Sequence, residues 1–105
     1  MLHILLADGF EEIEALATLD ILRRLQLPVQ TVSIKGARQV CGAHGLMMKA
    51  DCLLRKNELR QSEGIILPGG LFKFSAEMLR CFKAASQSNF FYGQICKLQK
   101  LFSYR

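Results

Sequence analysis

Two features of the 105-residue chain have the residue types and setting for chemistry: the carboxyl of Glu14 and the glycine pair Gly69-Gly70. On a helical wheel Glu14 falls in the arc of Ile21, Leu22 and Leu25, which predicts a carboxyl turned toward apolar surface and largely out of water. A carboxyl so desolvated tends to keep its proton and can donate a hydrogen bond to a neighbouring anion. The other reading of Glu14 is a partly exposed carboxylate favoured by the helix dipole. Leu67-Pro68-Gly69-Gly70 ends a short apolar run. There, two residues without a Cβ would let backbone N–H groups approach an oxyanion or a reacting atom, although a lone Pro-Gly-Gly is also a plain turn.

The thiols and imidazoles are sparse. Cys41, Cys52, Cys81 and Cys96 form no Cys-x-x-Cys pair, so neither a disulfide framework nor a four-thiolate zinc site is indicated, and reduced thiols in a cytoplasmic setting are expected. Cys41 with His44 is the nearest approach to a metal motif, and His3 is the other histidine. No metal and no cofactor is expected on these grounds.

The elements that would position these groups can be read in order. Leu2 to Ala7 is an almost unbroken apolar run closed by Asp8-Gly9, which predicts a strand buried on both faces and then a sharp turn. Glu11 to Leu25 lacks Gly and Pro, opens with carboxylates and closes with Arg23 and Arg24, which predicts a helix. Asp20 and Arg24, four apart on a different face from Glu14, are placed to pair in water. Val29 to Ile34 alternates like a strand after Pro28. Strand, helix and strand in such close succession imply a right-handed crossover and a parallel sheet. Gly36, Gly42 and Gly45 leave room for short strands near Arg38 to Val40 and Leu46 to Lys49, while Leu53 to Arg60 reads as a short helix or loop. Gly64 to Leu67 is another buried strand, Ser75 to Ala85 a second helix with Ser75 as N-cap, and Phe90 to Cys96 a last strand.

Half of the residues are hydrophobic and 22% are charged, which fits one small globular core. No apolar run is long enough for a transmembrane helix, and the carboxylates after Ala7 do not suit a secretory leader. The net charge of +5 is unevenly spread. Residues 1–70 carry eight basic and eight acidic side chains, whereas residues 71–105 carry six basic side chains against Glu77 alone, with six of the seven Phe and both Tyr. The break divides the chain into an amino-terminal part, 1–70, and a basic, aromatic-rich tail, 71–105.

Three blocks resemble the ThiJ/PfpI superfamily, in the branch of the parkinsonism-associated deglycase. They are Ile4 to Glu14 (ILLADGFEEIE), Val40 to Gly45 (VCGAHG) with Ala50-Asp51, and Ile65 to Gly70 (IILPGG). The resemblance covers residues 1–70 and implies a flavodoxin-like α/β sandwich, of which this chain would hold an incomplete sheet. It implies a catalytic cysteine on a tight strand-to-helix turn and activity on glyoxals and their adducts. It also implies that Glu14 hydrogen-bonds that thiolate and that Gly69 and Gly70 supply the backbone beside it. Cys41 lies near a noncatalytic cysteine found at a dimer contact in some members; as a residue in a short strand it is also a small hydrophobe. Ile95-Cys96 resembles the family's elbow, but Lys97-Leu98-Gln99 follow where small residues belong, and no histidine comes after it.

Three functions compete. In the first, Cys96 attacks a small reactive carbonyl compound as a thiolate while Glu14 and the Gly70 N–H assist, the missing half being supplied by oligomerisation. In the second, the chain is an inactive remnant, the amino-terminal half of such an enzyme joined to an unrelated tail, whose uncovered apolar surface would form a homodimer or other oligomer, bind a partner or aggregate. In the third, Lys73, Arg80, Lys83, Lys97, Lys100 and Arg105 interleave with aromatics to bind nucleic acid, though such a composition is common on ordinary surfaces. The second reading is preferred, and no membrane partner is expected.

Overall fold

The computed structural model describes residues 1–55, 59 and 61–70, and the backbone of 90–93. The expected helix Ser75 to Ala85 and the residue Cys96 lie outside the described residues.

The apolar runs form the middle of one parallel sheet. Strand β1 (Leu2–Leu6) pairs in parallel with β2 (Val29–Ser33) on one side and with β6 (Gly64–Leu67) on the other. Its register sets Leu2 opposite both Val29 and Gly64. Strand β5 (Cys52–Leu53) extends the sheet beyond β2, and β7 (Phe90–Gly93) extends it beyond β6, giving the order β5-β2-β1-β6-β7. All four pairings are parallel. Residues 52–53 are thus an edge strand where a helix or loop was expected from Leu53 onward. Two residues suffice because Asp51 locks the entry to β5. Its Oδ2 accepts the Thr31 N–H and the Arg23 guanidinium, each at 2.9 Å, and its own N–H donates to Thr31 Oγ1 at 2.9 Å.

Helix α1 (Glu12–Arg24) makes the crossover from β1 to β2, with acidic residues in its first turn and Arg23 and Arg24 in its last. Its exit is a Schellman motif: Gln26 N–H donates to Arg23 O, and Leu27 N–H to Leu22 O. Gln26 takes the left-handed position at φ 61°. The expected Asp20–Arg24 pair is present at 2.9 Å. The face packed on the sheet, however, is Ala15 and Leu19, with Leu22 partly buried. Ile21 and Leu25, taken as the buried arc on the wheel, are 57% and 64% exposed. Apolar residues occur all round this helix, and the small Ala15, with Leu19 one turn on, marks the side that lies against the sheet.

Strands β3 (Gln39–Cys41) and β4 (Met47–Lys49) form a separate antiparallel hairpin, with Val40 opposite Met48. It docks on the turn after β1. Asp8 Oδ1 accepts the Cys41 N–H at 2.9 Å, and Gly9 N–H donates to Cys41 O at 2.7 Å. Ile4, Leu6, Phe10, Ala15, Leu19, Val29, Val40, Ala50 and Ile66 make one continuous core of sheet, helix and hairpin. Among the described residues, no helix is long and apolar enough to cross a membrane.

Candidate functional site

The order of the sheet fixes where a site belongs. The chain leaves β1 toward β2 on one side, while β6 lies on the other, so the segments after β1 and after β6 diverge at the carboxyl edge of neighbouring strands. Open parallel sheets place ligands in such a crevice. The segment after β1 carries Asp8 to Glu14, and the segment after β6 carries Pro68-Gly69-Gly70.

Phe10 knits the two segments together. It is fully buried, its backbone bridges to Gly70 in antiparallel sense and to Gly42 in parallel sense, and its carbonyl accepts the Ala43 N–H at 2.8 Å. The neighbouring Glu11 N–H donates to Gly69 O at 2.7 Å. Gly70 has φ 140°, a backbone conformation that essentially only glycine adopts. A Cβ there would overlap the Gly9 carbonyl oxygen and stand 2.9 Å from Phe10 Cα. Glycine is required at position 70 by close backbone packing, in addition to any approach to a ligand.

Glu14, in the first turn of α1, accepts a hydrogen bond on Oε2 from the Gly69 N–H. The structure therefore brings together Glu14 and the glycine pair, as the sequence predicts. It does not bury Glu14: the residue is exposed, on the same side of α1 as the exposed Ile21 and Leu25. The low-dielectric surroundings implied by the wheel are absent, because the helix rests on Ala15 and Leu19. The Gly69 donor also faces a carboxylate oxygen already in place, so in this arrangement it is occupied rather than presented to a ligand.

A second cluster was not singled out by spacing. Glu12 Oε2 accepts the backbone N–H groups of His44 at 2.7 Å and Leu46 at 3.3 Å, while Glu12 Oε1 lies 3.0 Å from His44 Nδ1. Glu11 Oε1 stands 3.7 Å from the same nitrogen. The Glu12 carboxyl lies directly over Gly42, where a Cβ would come within 2.5 Å of Oε2. Its partial burial works to raise its pKa. The hydrogen bond from the His44 side chain and those from its own, the His44 and the Leu46 backbone N–H outweigh this and hold it down to about 2. His44 is raised in turn, first by its hydrogen bond to Glu12 and then by the charges of Glu11 and Glu12. Among the described residues, Glu11 and Glu12 are thus the groups gathered at His44, and Cys41 is not one of them. The sequence signal was faint: a Gly-Ala-His-Gly turn far from a carboxylate pair.

Cys41 ends β3, partly exposed, with its thiol 3.6 Å from Gly42 O. Asp8, which holds the Cys41 N–H, also pairs with Lys35 Nζ at 2.8 Å. The Cys41 backbone bond and the Lys35 contact together lower the Asp8 pKa.

These elements define an α/β protein with a carboxylate and a glycine pair meeting at the switch point of a parallel sheet. The family model of the DJ-1/PfpI family matches residues 2–103, and the chain belongs to that family. The match runs on past Gly70, where the sequence motifs stop. Among curated relatives, protein DJ-1 homolog B of Arabidopsis thaliana is 34% identical over 96 residues, which are 87% of this chain and 22% of that protein. Among solved structures, a DJ-1 superfamily protein of Salmonella typhimurium is 32% identical with a TM-score of 0.69, covering 88% of this chain and 53% of that one. DJ-1 of Toxoplasma gondii is 26% identical with a TM-score of 0.74, again covering 88% of this chain and 53% of that one. The chain therefore spans about half the length of these solved relatives, and less than a quarter of the curated one.

Proposed function

We propose that this chain carries the glutamate-and-glycine half of a ThiJ/PfpI-type site, whose ancestral chemistry is glyoxalase- or deglycase-type, and that alone it does not turn over reactive carbonyls. The family chemistry adds a cysteine thiolate to a carbonyl carbon, and the charge developing on oxygen needs a preorganised donor. The observation that supports the reading is the Glu14–Gly69 hydrogen bond: carboxylate and backbone donor satisfy one another, and Glu14 stands in water. Exposure weakens every electrostatic interaction that the site could exert on a transition state.

The test is to incubate the full chain with methylglyoxal, titrate its thiols across pH, and repeat both with Cys96→Ser and Glu14→Gln. All three proteins are expected to show the same background loss of methylglyoxal and no unusually acidic thiol. Turnover abolished by Cys96→Ser, with a thiol titrating well below about 8.5, would overturn the reading and restore the enzyme.

Self-association is the second part of the proposal. Ile21 and Leu25, four apart on one side of α1, are 57% and 64% exposed, an apolar pair that a partner surface could cover. A second copy of the chain is the occupant proposed. Ile21→Lys is expected to convert a dimer to a monomer in light scattering. A wild-type chain that is monomeric at high concentration would contradict this.

A further inference from the structure

Glu11, Glu12 and His44 each offer one ligand atom, and the three atoms lie within 4.8 Å of one another. We propose that they form a binding site for a divalent first-row cation of the Zn2+ class, where the turn between β3 and β4 meets the start of α1.

The spacing approaches that of a coordination shell. With metal–ligand bonds of about 2.0–2.2 Å, neighbouring ligand atoms around one cation stand roughly 3.0–3.5 Å apart. His44 Nδ1 is 3.0 Å from Glu12 Oε1 and 3.7 Å from Glu11 Oε1, and all three ligand atoms lie within 4.8 Å of one another, so Glu11 must draw in toward the other two to share one cation. Glu12 is already aimed. Its Oε2 is held by the N–H groups of His44 and Leu46, its side chain is only 13% exposed, and Gly42 leaves the space that it fills. A carboxylate anchored through one oxygen presents the other in a fixed direction, which is how outer partners orient a metal ligand.

The donor set is one imidazole and two carboxylates. It suits zinc and its neighbours better than the soft metals that thiolates select. His44 is 72% exposed, which leaves a path for the cation and open positions for water. The positive end of the α1 dipole opposes a cation here and the two carboxylates favour it, so a modest affinity is expected. Binding would add a metal link between hairpin and helix where the Glu12 carboxylate now holds the His44 imidazole and the His44 and Leu46 N–H groups by hydrogen bonds.

The test uses the full chain freed of metal with a chelator. ZnCl2 is titrated by calorimetry, the His44 imidazole resonances are followed by NMR, and Co2+ absorption reports on the ligands. One equivalent is expected to bind and shift the His44 resonances, with no thiolate-to-cobalt charge transfer. Affinity should fall at least about tenfold in both Glu11→Gln and His44→Gln. Glu11 makes no capping hydrogen bond with its side chain, so Glu11→Gln keeps the test open if His44→Gln loosens the turn. Absence of saturable binding, affinity unchanged in Glu11→Gln, or a thiolate charge-transfer band would each overturn the proposal.

Discussion

Replacing Gly70 by alanine should be among the most damaging small changes available to this chain. At φ 140° an L-residue is strained, which costs on the order of 1–3 kcal/mol by itself. The new methyl also has nowhere to go. It would overlap Gly9 O, stand 2.9 Å from Phe10 Cα and 3.0 Å from Glu11 N, all of them backbone atoms that cannot swing aside like a side chain. Relief requires the segments after β1 and β6 to part. That endangers the Phe10–Gly70 bridge and the 2.7 Å bond from Glu11 N–H to Gly69 O, each contact worth roughly 0.5–1.5 kcal/mol. Strain and lost bonds together come to about 2–6 kcal/mol, a large share of the 5–15 kcal/mol typical of a whole domain. Urea unfolding followed by circular dichroism would measure it, with Gly36→Ala as control, since a Cβ at Gly36 meets nothing within 4 Å. A loss at Gly70→Ala no greater than at Gly36→Ala would refute the close-packing argument.

Asp51→Ala removes the acceptor of Thr31 N–H and the partner of Arg23, and should cost about 1–3 kcal/mol in the same assay, with early loss of amide protection in β5 by hydrogen exchange. Gln26→Gly relieves a left-handed non-glycine in the Schellman motif, and should raise the urea midpoint by the equivalent of about 0.5–1 kcal/mol; an unchanged or lower midpoint would contradict the strain. Asp8 has a lowered pKa in the fold, so its contribution is complete above the unfolded value of about 3.9 and is lost as pH falls through the folded value. With its side chain 55% exposed, that contribution is below about 1 kcal/mol. Asp8→Asn should therefore flatten the stability curve in this acidic range and leave its shape above pH ~6 unaltered.

Much of the fold is written in local pattern. Gly64 to Leu67 is apolar without interruption, and Leu2 to Leu6 is broken only by His3, which is buried against Ser62, because both faces of a central parallel strand are covered; Glu12 to Arg24 has helix-compatible charges at both ends. The meeting of Glu14 with Gly69 also follows from the motifs, since the helix after β1 and the turn after β6 must share the carboxyl edge of the sheet. Glu14 is exposed, against the wheel, for a physical reason. Five large apolar residues of α1 and its C-cap Leu25 are spread round the helix, so a wheel offers several inner faces, and the small Ala15 marks the one used. The partnership of Glu12 with His44 was beyond local pattern altogether. It depends on a hairpin folding back over the start of the helix, and only Gly42, which makes room for the carboxyl, marks it in the sequence.

The pairing of Leu2 with both Val29 and Gly64 has a consequence for the chain as it is made. The amino-terminal strand is the middle of the finished sheet, so on the ribosome it can gain β2 early but must wait for its other neighbour. At about 5–20 residues per second, the stretch from Ser33 to Gly64 takes roughly 2–6 s to synthesise. Throughout that interval the apolar strand Leu2–Leu6 has one bare hydrogen-bonding edge, open to pairing with another nascent chain. The yield of soluble protein should therefore depend on how fast the codons of residues 34–64 are translated.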